Sequence, residues 1–184
     1  MPNKILFAGD SLVQGFGVME EDNWVSLVQK ALPNVEIVNI GRNGLLSEQV
    51  LEKIQKELEY ETYDCVAVLC GANDFIEGYS PEYVSSIYNQ ILDSIEEKGG
   101  KGILLIPPVP SFDTEYPFVS ISYYKSLIEY TKKLMEIEKD RGILLEKGFL
   151  GDFNLYIDGI HPTEEGHKNI AKLFLEYLEK EQNK

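Results

Sequence analysis

The sequence lacks any apolar run that approaches the roughly 20 residues of a membrane-spanning helix. Its first residues also lack the charged, apolar and cleavage-site regions of a signal peptide. Positive charge is scarce, since 17 Lys and Arg stand against 31 Asp and Glu and give a formal net charge of −14. Such a field repels nucleic-acid phosphates and anionic lipid headgroups. We therefore expect a cytoplasmic protein with no nucleic-acid partner and no membrane span.

Cysteine and histidine are both rare, with two residues of each. Cys65 and Cys70 share one apolar run, and their odd offset places them on opposite faces of a strand, so we expect two buried free thiols. No second Cys or His cluster stands near them, and we expect no metal and no cofactor. The last predicted helix has an apolar stripe formed by Ile170, Leu173, Phe174, Tyr177 and Leu178. His167 lies off this stripe and is expected at the solvated surface.

The pattern of apolar residues predicts an α/β fold. The chain has 184 residues, of which 43% are hydrophobic, and this suits one domain spanning residues 1–184. Short apolar runs without polar alternation are typical of strands buried in a parallel sheet. They lie at residues 5–8, 35–40, 65–70, 102–106 and 142–145. Amphipathic stretches with helical spacing separate these runs, and Ser47 is placed as the N-cap of the second stretch. The predicted order is therefore βαβαβαβαβα with helices on both faces.

Polar residues follow the predicted strands at the points where each strand ends. Ser11 follows the first strand, Gly44 the second and Asn73 the third, while Asp158 and His161 lie beyond the fifth. Because ligands bind outside the carboxyl ends of the strands in open α/β sheets, we expect these residues to meet at one edge. Residues 107–120, after the fourth strand, form an irregular stretch long enough to favour a functional loop.

These residue types are the ones that acyl transfer needs. A serine hydroxyl becomes a useful nucleophile when a base removes its proton. His161 lies three residues after Asp158, so the carboxylate can accept a hydrogen bond from the imidazole and fix its tautomer. The side-chain amide of Asn73 and the backbone N–H groups of Gly44 and Ser11 can donate to an oxyanion.

Three motifs in this order resemble the GDSL (SGNH) lipases and acylhydrolases. They are Gly-Asp-Ser-Leu at residues 9–12, Gly-x-Asn-Asp at residues 71–74 and Asp-x-x-His at residues 158–161. Each motif alone is weak, but three in order after their strands form a strong signal. The resemblance implies a flavodoxin-like, three-layer α/β/α sandwich whose five parallel strands are ordered 2-1-3-4-5. It also implies a serine hydrolase that cleaves esters. We expect short-chain acyl or acetyl esters of small molecules as substrates, cleaved through an acyl-enzyme intermediate, because the small domain has no separate lid and its acyl pocket must be built from loops.

The resemblance also assigns roles to residues. Ser11 becomes the nucleophile, Asp158 and His161 complete the triad, and Gly44 and Asn73 join the oxyanion hole. The glycine of the family follows the second strand by a few residues, which favours Gly44, although the neighbouring candidate at position 41 stays open.

The substrate is left open by the sequence. Arg42 and the aromatic residues Phe112, Tyr116 and Phe118 are candidate substrate contacts, although the aromatic side chains have an equal claim to simple loop packing. A lysophospholipase or thioesterase of the same family, or a flavodoxin-like binding domain without hydrolase activity, is the alternative function. The oligomeric state is open as well.

The same residues also have structural interpretations. Ser11 is a favoured helix N-cap, while Asn73 and Asp158 lie in turn-forming dipeptides. Asp10 is given no chemical role.

Overall fold

The computed structural model describes residues 2–113, 117 and 119–183. Its sheet has five parallel strands in the order β2-β1-β3-β4-β5, as the resemblance predicted. The strands are β1 (Lys4–Gly9), β2 (Glu36–Asn39), β3 (Cys65–Leu69), β4 (Lys101–Ile106) and β5 (Gly142–Leu144). The predicted α/β fold class and strand order are therefore confirmed. The two edge strands are only partly buried, whereas every residue of β3 is buried.

Five long helices connect or follow the strands, close to the predicted positions. They are α2 (Trp24–Ala31), α3 (Ser47–Glu57), α5 (Pro81–Glu97), α6 (Ile121–Glu138) and α8 (Glu164–Gln182). Three further helices have only four or five residues, and a single turn carries no periodicity from which to predict its bounds. They are α1 (Ser11–Gln14), α4 (Ala72–Ile76) and α7 (Glu146–Phe149). No helix in the described ranges is long and apolar enough to cross a lipid bilayer.

The sheet separates two hydrophobic cores, because side chains along a strand alternate between its faces. Leu6 and Ala8 of β1 point into the core beneath α3, α5 and α6, while Ile5 and Phe7 point toward α2 and α8. Cys70 belongs to the first core and Cys65 to the second, and both are free thiols, so the prediction of opposite faces is confirmed.

Two local predictions are wrong. His167 is fully buried rather than solvated, because the buried stripe of α8 runs through residues 167, 170, 171, 174 and 178. The Nδ1 atom of His167 accepts a hydrogen bond from the backbone N–H of Trp24 at 3.3 Å. Ser47 was expected to cap α3, yet Leu46 is the N-cap residue and the Ser47 hydroxyl bonds to Asp74 instead.

Candidate active site

Ser11 lies at the carboxyl end of β1, as the first residue of the four-residue helix α1. Asp10 caps this helix by accepting the N–H of Leu12 on Oδ1 at 2.9 Å. So short a helix leaves its last carbonyls without partners inside it. The indole N–H of Trp24 therefore donates to the Leu12 carbonyl at 2.9 Å, and the amide of Asn23 donates to the last two carbonyls of α1 at 3.0 and 2.9 Å. These bonds fix the position of Ser11.

Asp158 and His161 share a tight loop between β5 and α8. Tyr156 and Pro162 form an antiparallel bridge that closes this loop, and the N–H of Ile157 donates to the carbonyl of His161 at 2.8 Å. The loop brings the two side chains to the same edge of the sheet as Ser11.

Two contacts from other elements hold the loop in place. The hydroxyl of Tyr124, which is buried on α6, donates to the backbone carbonyl of Asp158. The N–H of Ser111, which follows β4, donates to the carbonyl of Gly159 at 2.8 Å. Neither residue was identified from the sequence, since nothing in the local pattern indicates a contact across 34 or 48 positions.

The three side chains form one hydrogen-bonded chain. His161 Nδ1 lies 2.7 Å from Asp158 Oδ2, and His161 Nε2 lies 3.0 Å from Ser11 Oγ. A carboxylate can only accept, so Nδ1 carries the hydrogen and the neutral ring presents the lone pair of Nε2 to the serine hydroxyl. All three residues are buried, at 8%, 4% and 8% exposure for Ser11, His161 and Asp158. The arrangement therefore sets up a serine hydroxyl for deprotonation.

The environment of Asp158 keeps its carboxylate charged. Burial alone would raise its pKa, but the net shift is downward because hydrogen bonds favour the ionised form. The Oδ1 atom accepts the backbone N–H groups of Ile160 and His161 at 3.0 and 2.9 Å, while Oδ2 accepts from the imidazole. Three donors thus orient one carboxylate toward the ring of His161.

Three hydrogen-bond donors follow the carboxyl ends of three neighbouring strands, β2, β1 and β3. Asn73 lies in α4 directly after β3, and one of its amide hydrogens donates to the carbonyl of Leu45 at 3.0 Å. That bond fixes the amide and leaves its second hydrogen for a ligand. The backbone N–H groups of Ser11 and Gly44 have no acceptor among the described residues.

The structure distinguishes the two candidate glycines. The N–H of Gly41 donates to the side chain of Asn39 at 2.9 Å, and a Cβ at position 41 would lie 2.8 Å from Val13. Gly41 is therefore needed for packing against α1. Gly44 has a φ of +77°, which favours glycine, and no atom lies within 4 Å of its Cβ position. Of these two glycines, Gly44 is the one whose N–H has no acceptor among the described residues.

One aromatic ring packs against the hydrogen-bonded chain. Phe16, which the sequence analysis did not single out, packs its ring 4.4 Å from the centre of the His161 imidazole and is 40% exposed. Phe112 follows the Ser111 anchor and is 57% exposed. Arg42 is also exposed, and its backbone N–H donates to Gly9. The other predicted contacts, Tyr116 and Phe118, lie outside the described residues.

A buried carboxyl group lies beside Ser11. Burial raises the pKa of Asp10 to about 7, against the opposing effects of the Leu12 N–H and of nearby His161. Its Oδ2 atom has no hydrogen-bond partner in the described structure. Within the same ranges, no group of three or more His, Cys, Asp or Glu side chains is arranged to hold a metal ion.

A serine, a histidine and an aspartate joined by hydrogen bonds, beside convergent donors, form the arrangement of serine hydrolases. Residues 7–168 match the GDSL-like lipase/acylhydrolase family, and the chain belongs to that family of hydrolases. An arylesterase of Vibrio mimicus is 26% identical over 183 residues, which cover 96% of this chain and 88% of the relative.

Solved structures of similar proteins show the same fold. A member of the lipolytic G-D-S-L family from Veillonella parvula superposes with a TM-score of 0.78 at 19% identity, over 94% of this chain and 96% of the other. A psychrotrophic esterase from a Pseudoalteromonas species gives a TM-score of 0.74 at 20% identity, over 99% of this chain and all of the other.

Proposed function

We propose that this acylhydrolase cleaves carboxylic esters with short acyl groups through an acyl-enzyme intermediate on Ser11. The observation that carries the proposal is the continuous contact from Asp158 Oδ2 through the imidazole to Ser11 Oγ, with steps of 2.7 and 3.0 Å. Family membership supports ester hydrolysis in general, and the esterase names of the relatives agree with it.

In the first half of the reaction, Ser11 Oγ attacks the ester carbonyl carbon while His161 Nε2 takes the hydroxyl proton. The imidazolium that forms is stabilised by the carboxylate of Asp158. The tetrahedral intermediate then collapses, its bond to the alkoxy oxygen breaks, and His161 returns the proton to the departing alcohol. Ser11 is left acylated.

In the second half, water replaces the alcohol. His161 Nε2 takes a proton from the water, whose oxygen attacks the acyl carbon, and the proton then passes to Ser11 Oγ as the acid departs. Both tetrahedral intermediates carry a negative oxygen. We assign its binding to the backbone N–H groups of Ser11 and Gly44 and to the free amide hydrogen of Asn73.

The exposed aromatic residues support a preference for short acyl groups. Phe16 and Phe112 remain 40% and 57% exposed, so their rings are available to line an open, shallow site. Each enclosed methylene contributes only about 0.8 kcal/mol, and only while the protein still surrounds it. A panel of p-nitrophenyl esters, acyl-thioesters, lysophospholipids and acetylated sugars separates this proposal from a thioesterase or lysophospholipase.

Covalent labelling tests the nucleophile. A fluorophosphonate probe is expected to modify Ser11 alone and to abolish esterase activity, as mass mapping of the adduct will show. Ser11→Ala should remove both labelling and activity. The matched control is Ser86→Ala, because Ser86 is exposed to the reagent but its hydroxyl donates to a backbone carbonyl in α5. Label on another serine, or full activity in Ser11→Ala, contradicts the proposal.

A further inference from the structure

We infer that the hydrogen-bonded pair Ser47–Asp74 is a positioning device that holds Gly44 and Asn73 at the spacing the oxyanion needs. The inference rests on the proposed function, because this spacing matters only if both groups bind the oxyanion. Neither Ser47 nor Asp74 touches the reacting atoms in this scheme.

The pair joins the first turns of two helices that follow different strands. Ser47 is the first residue of α3, and Asp74 lies in the first turn of α4. The hydroxyl of Ser47 donates to Asp74 Oδ1 at 2.6 Å, and its backbone N–H donates to Oδ2 at 2.9 Å. Both carboxylate oxygens are thus used by one residue. A two-point contact fixes orientation as well as distance.

Both side chains are fully buried, so water does not compete for these bonds. Burial raises the pKa of Asp74, while the hydrogen bonds from Ser47 act in the opposite direction by favouring the carboxylate. Removing the hydroxyl would leave a buried carboxylate oxygen without its partner, which is costly. Such a bond resists changes in the distance between α3 and α4.

The loop that carries Gly44 is held mostly by hydrogen bonds rather than by packing around Gly44 itself. Residues 42–44 are exposed, and no atom lies within 4 Å of the Cβ position of Gly44. At its near end, the N–H of Arg42 donates to Gly9 at 3.1 Å. At its far end, the chain enters α3 through Ser47.

Between these ends, the N–H of Asn43 donates to Gln14 Oε1 at 2.6 Å, and the partly buried side chain of Leu45 packs against the first core. The loop is therefore fixed by hydrogen bonds and by one packed side chain, and the Ser47–Asp74 pair secures the point at which it enters α3.

The pair lies next to both donors along the chain. Asp74 directly follows Asn73, and Ser47 comes three residues after Gly44. The amide of Asn73 also donates to Leu45, so two links join the same pair of segments. Oxyanion donors act at about 2.7–3.1 Å, and a misplacement of about 1 Å can cost 10²-fold in rate. Loosening one link should therefore lower kcat while substrate binding is retained.

The test compares Ser47→Ala and Asp74→Asn with a matched control at the other end of α3. Tyr63→Phe is that control, since it removes the hydrogen bond from the Tyr63 hydroxyl to Glu57, the last residue of α3. Ser47→Ala keeps the backbone bond to Asp74 and should fold, as circular dichroism and the melting temperature will show. We expect both variants of the pair to lower kcat about 10- to 100-fold with KM changed less than about twofold. Tyr63→Phe should leave kcat unchanged.

A double-mutant cycle separates positioning from simple stabilisation. If the pair acts through the donors, Ser47→Ala should cost much less in an Asn73→Ala background than in the wild type. An equal loss in both backgrounds, a lower melting temperature with unchanged kcat, or loss of folding in both variants of the pair overturns the inference. Failure of the proposed function itself shows separately, as activity and labelling that survive Ser11→Ala.

Discussion

Replacing Asp158 with asparagine is the most direct probe of the hydrogen-bonded chain. The carboxylate accepts three hydrogen bonds, two on Oδ1 from backbone N–H groups and one on Oδ2 from the imidazole. An asparagine keeps its carbonyl oxygen for the two backbone donors, so the loop should stay folded. Its amide N–H₂ then faces His161 Nδ1, where an acceptor is required.

We expect the His161 imidazole to respond by changing from the tautomer protonated at Nδ1 to the one protonated at Nε2. With Nδ1 accepting from the new amide, the hydrogen moves to Nε2, which lies 3.0 Å from Ser11 Oγ. A protonated Nε2 cannot take the serine proton, and the imidazolium loses its negative partner as well. For a triad that fails in this way, kcat falls about 10⁴-fold, or about 5.4 kcal/mol of transition-state stabilisation.

Steady-state kinetics with p-nitrophenyl acetate measures the loss, and thermal unfolding checks that the variant is folded. Asp152→Asn is the matched control, because Asp152 lies on the same connection and its carboxylate caps a short helix by accepting from Asn154 at 3.0 Å. That variant should keep wild-type kcat. A kcat for Asp158→Asn within about tenfold of wild type would refute the assignment of Asp158 as the partner of the base.

Three further outcomes are expected. Asn73→Ala should lower kcat about 10²–10³-fold with KM little changed, and an unchanged kcat in steady-state assays would return this residue to the role of a turn former. Among p-nitrophenyl esters, the kcat/KM of the wild type should peak within the range from acetate to hexanoate and then fall, and Phe112→Ala should move this peak to longer chains. A wild-type kcat/KM that rises steadily with chain length contradicts the shallow site. Burial lowers the pKa of His167 from 6.5 to about 4. As the pH falls from 6.5 toward 4, His167 is protonated in the unfolded chain but stays neutral in the folded chain. The free energy of unfolding therefore decreases as the pH falls through this window. Chemical denaturation at several pH values should show a smaller decrease for His167→Asn than for the wild type, and an equal decrease in both proteins would contradict a neutral buried histidine.

The strands were predictable because burial on both faces leaves a local signature. A run such as residues 65–70 lacks polar alternation, and the structure places β3 at the centre of the sheet. The edge strands β2 and β5 were found by the same pattern, although they are only partly buried and shorter than expected. The strand order came from the family resemblance, since apolar patterns do not determine which strands are neighbours.

The contacts that support the site were not predictable, because they depend on tertiary neighbours. Ser47 has the features of an N-cap in its local sequence, but the buried carboxylate of Asp74 is a stronger partner for its hydroxyl. His167 was misplaced because the stripe of α8 was centred on half-buried Leu173 and Tyr177. Phe16 lies over the imidazole of His161 through a loop conformation that no sequence period describes.

In the proposed reaction, the site stabilises a negative oxygen within a chain whose formal net charge is −14. The stability of the oxyanion depends on the groups that touch it rather than on the net charge of the chain. Exposed charges are screened by salt within about 10 Å, whereas the hydrogen-bond donors of the oxyanion act at contact distance. Asp158 points its charge at His161, which becomes positive as the oxyanion forms, so the developing charges attract one another. The raised pKa of Asp10, about 7 through burial, reduces the negative charge beside Ser11 at neutral pH. The three buried aspartates near the site therefore need not destabilise the oxyanion. Asp74 is hydrogen-bonded to Ser47, the negative charge of Asp10 is reduced by its raised pKa, and Asp158 is directed at the imidazole.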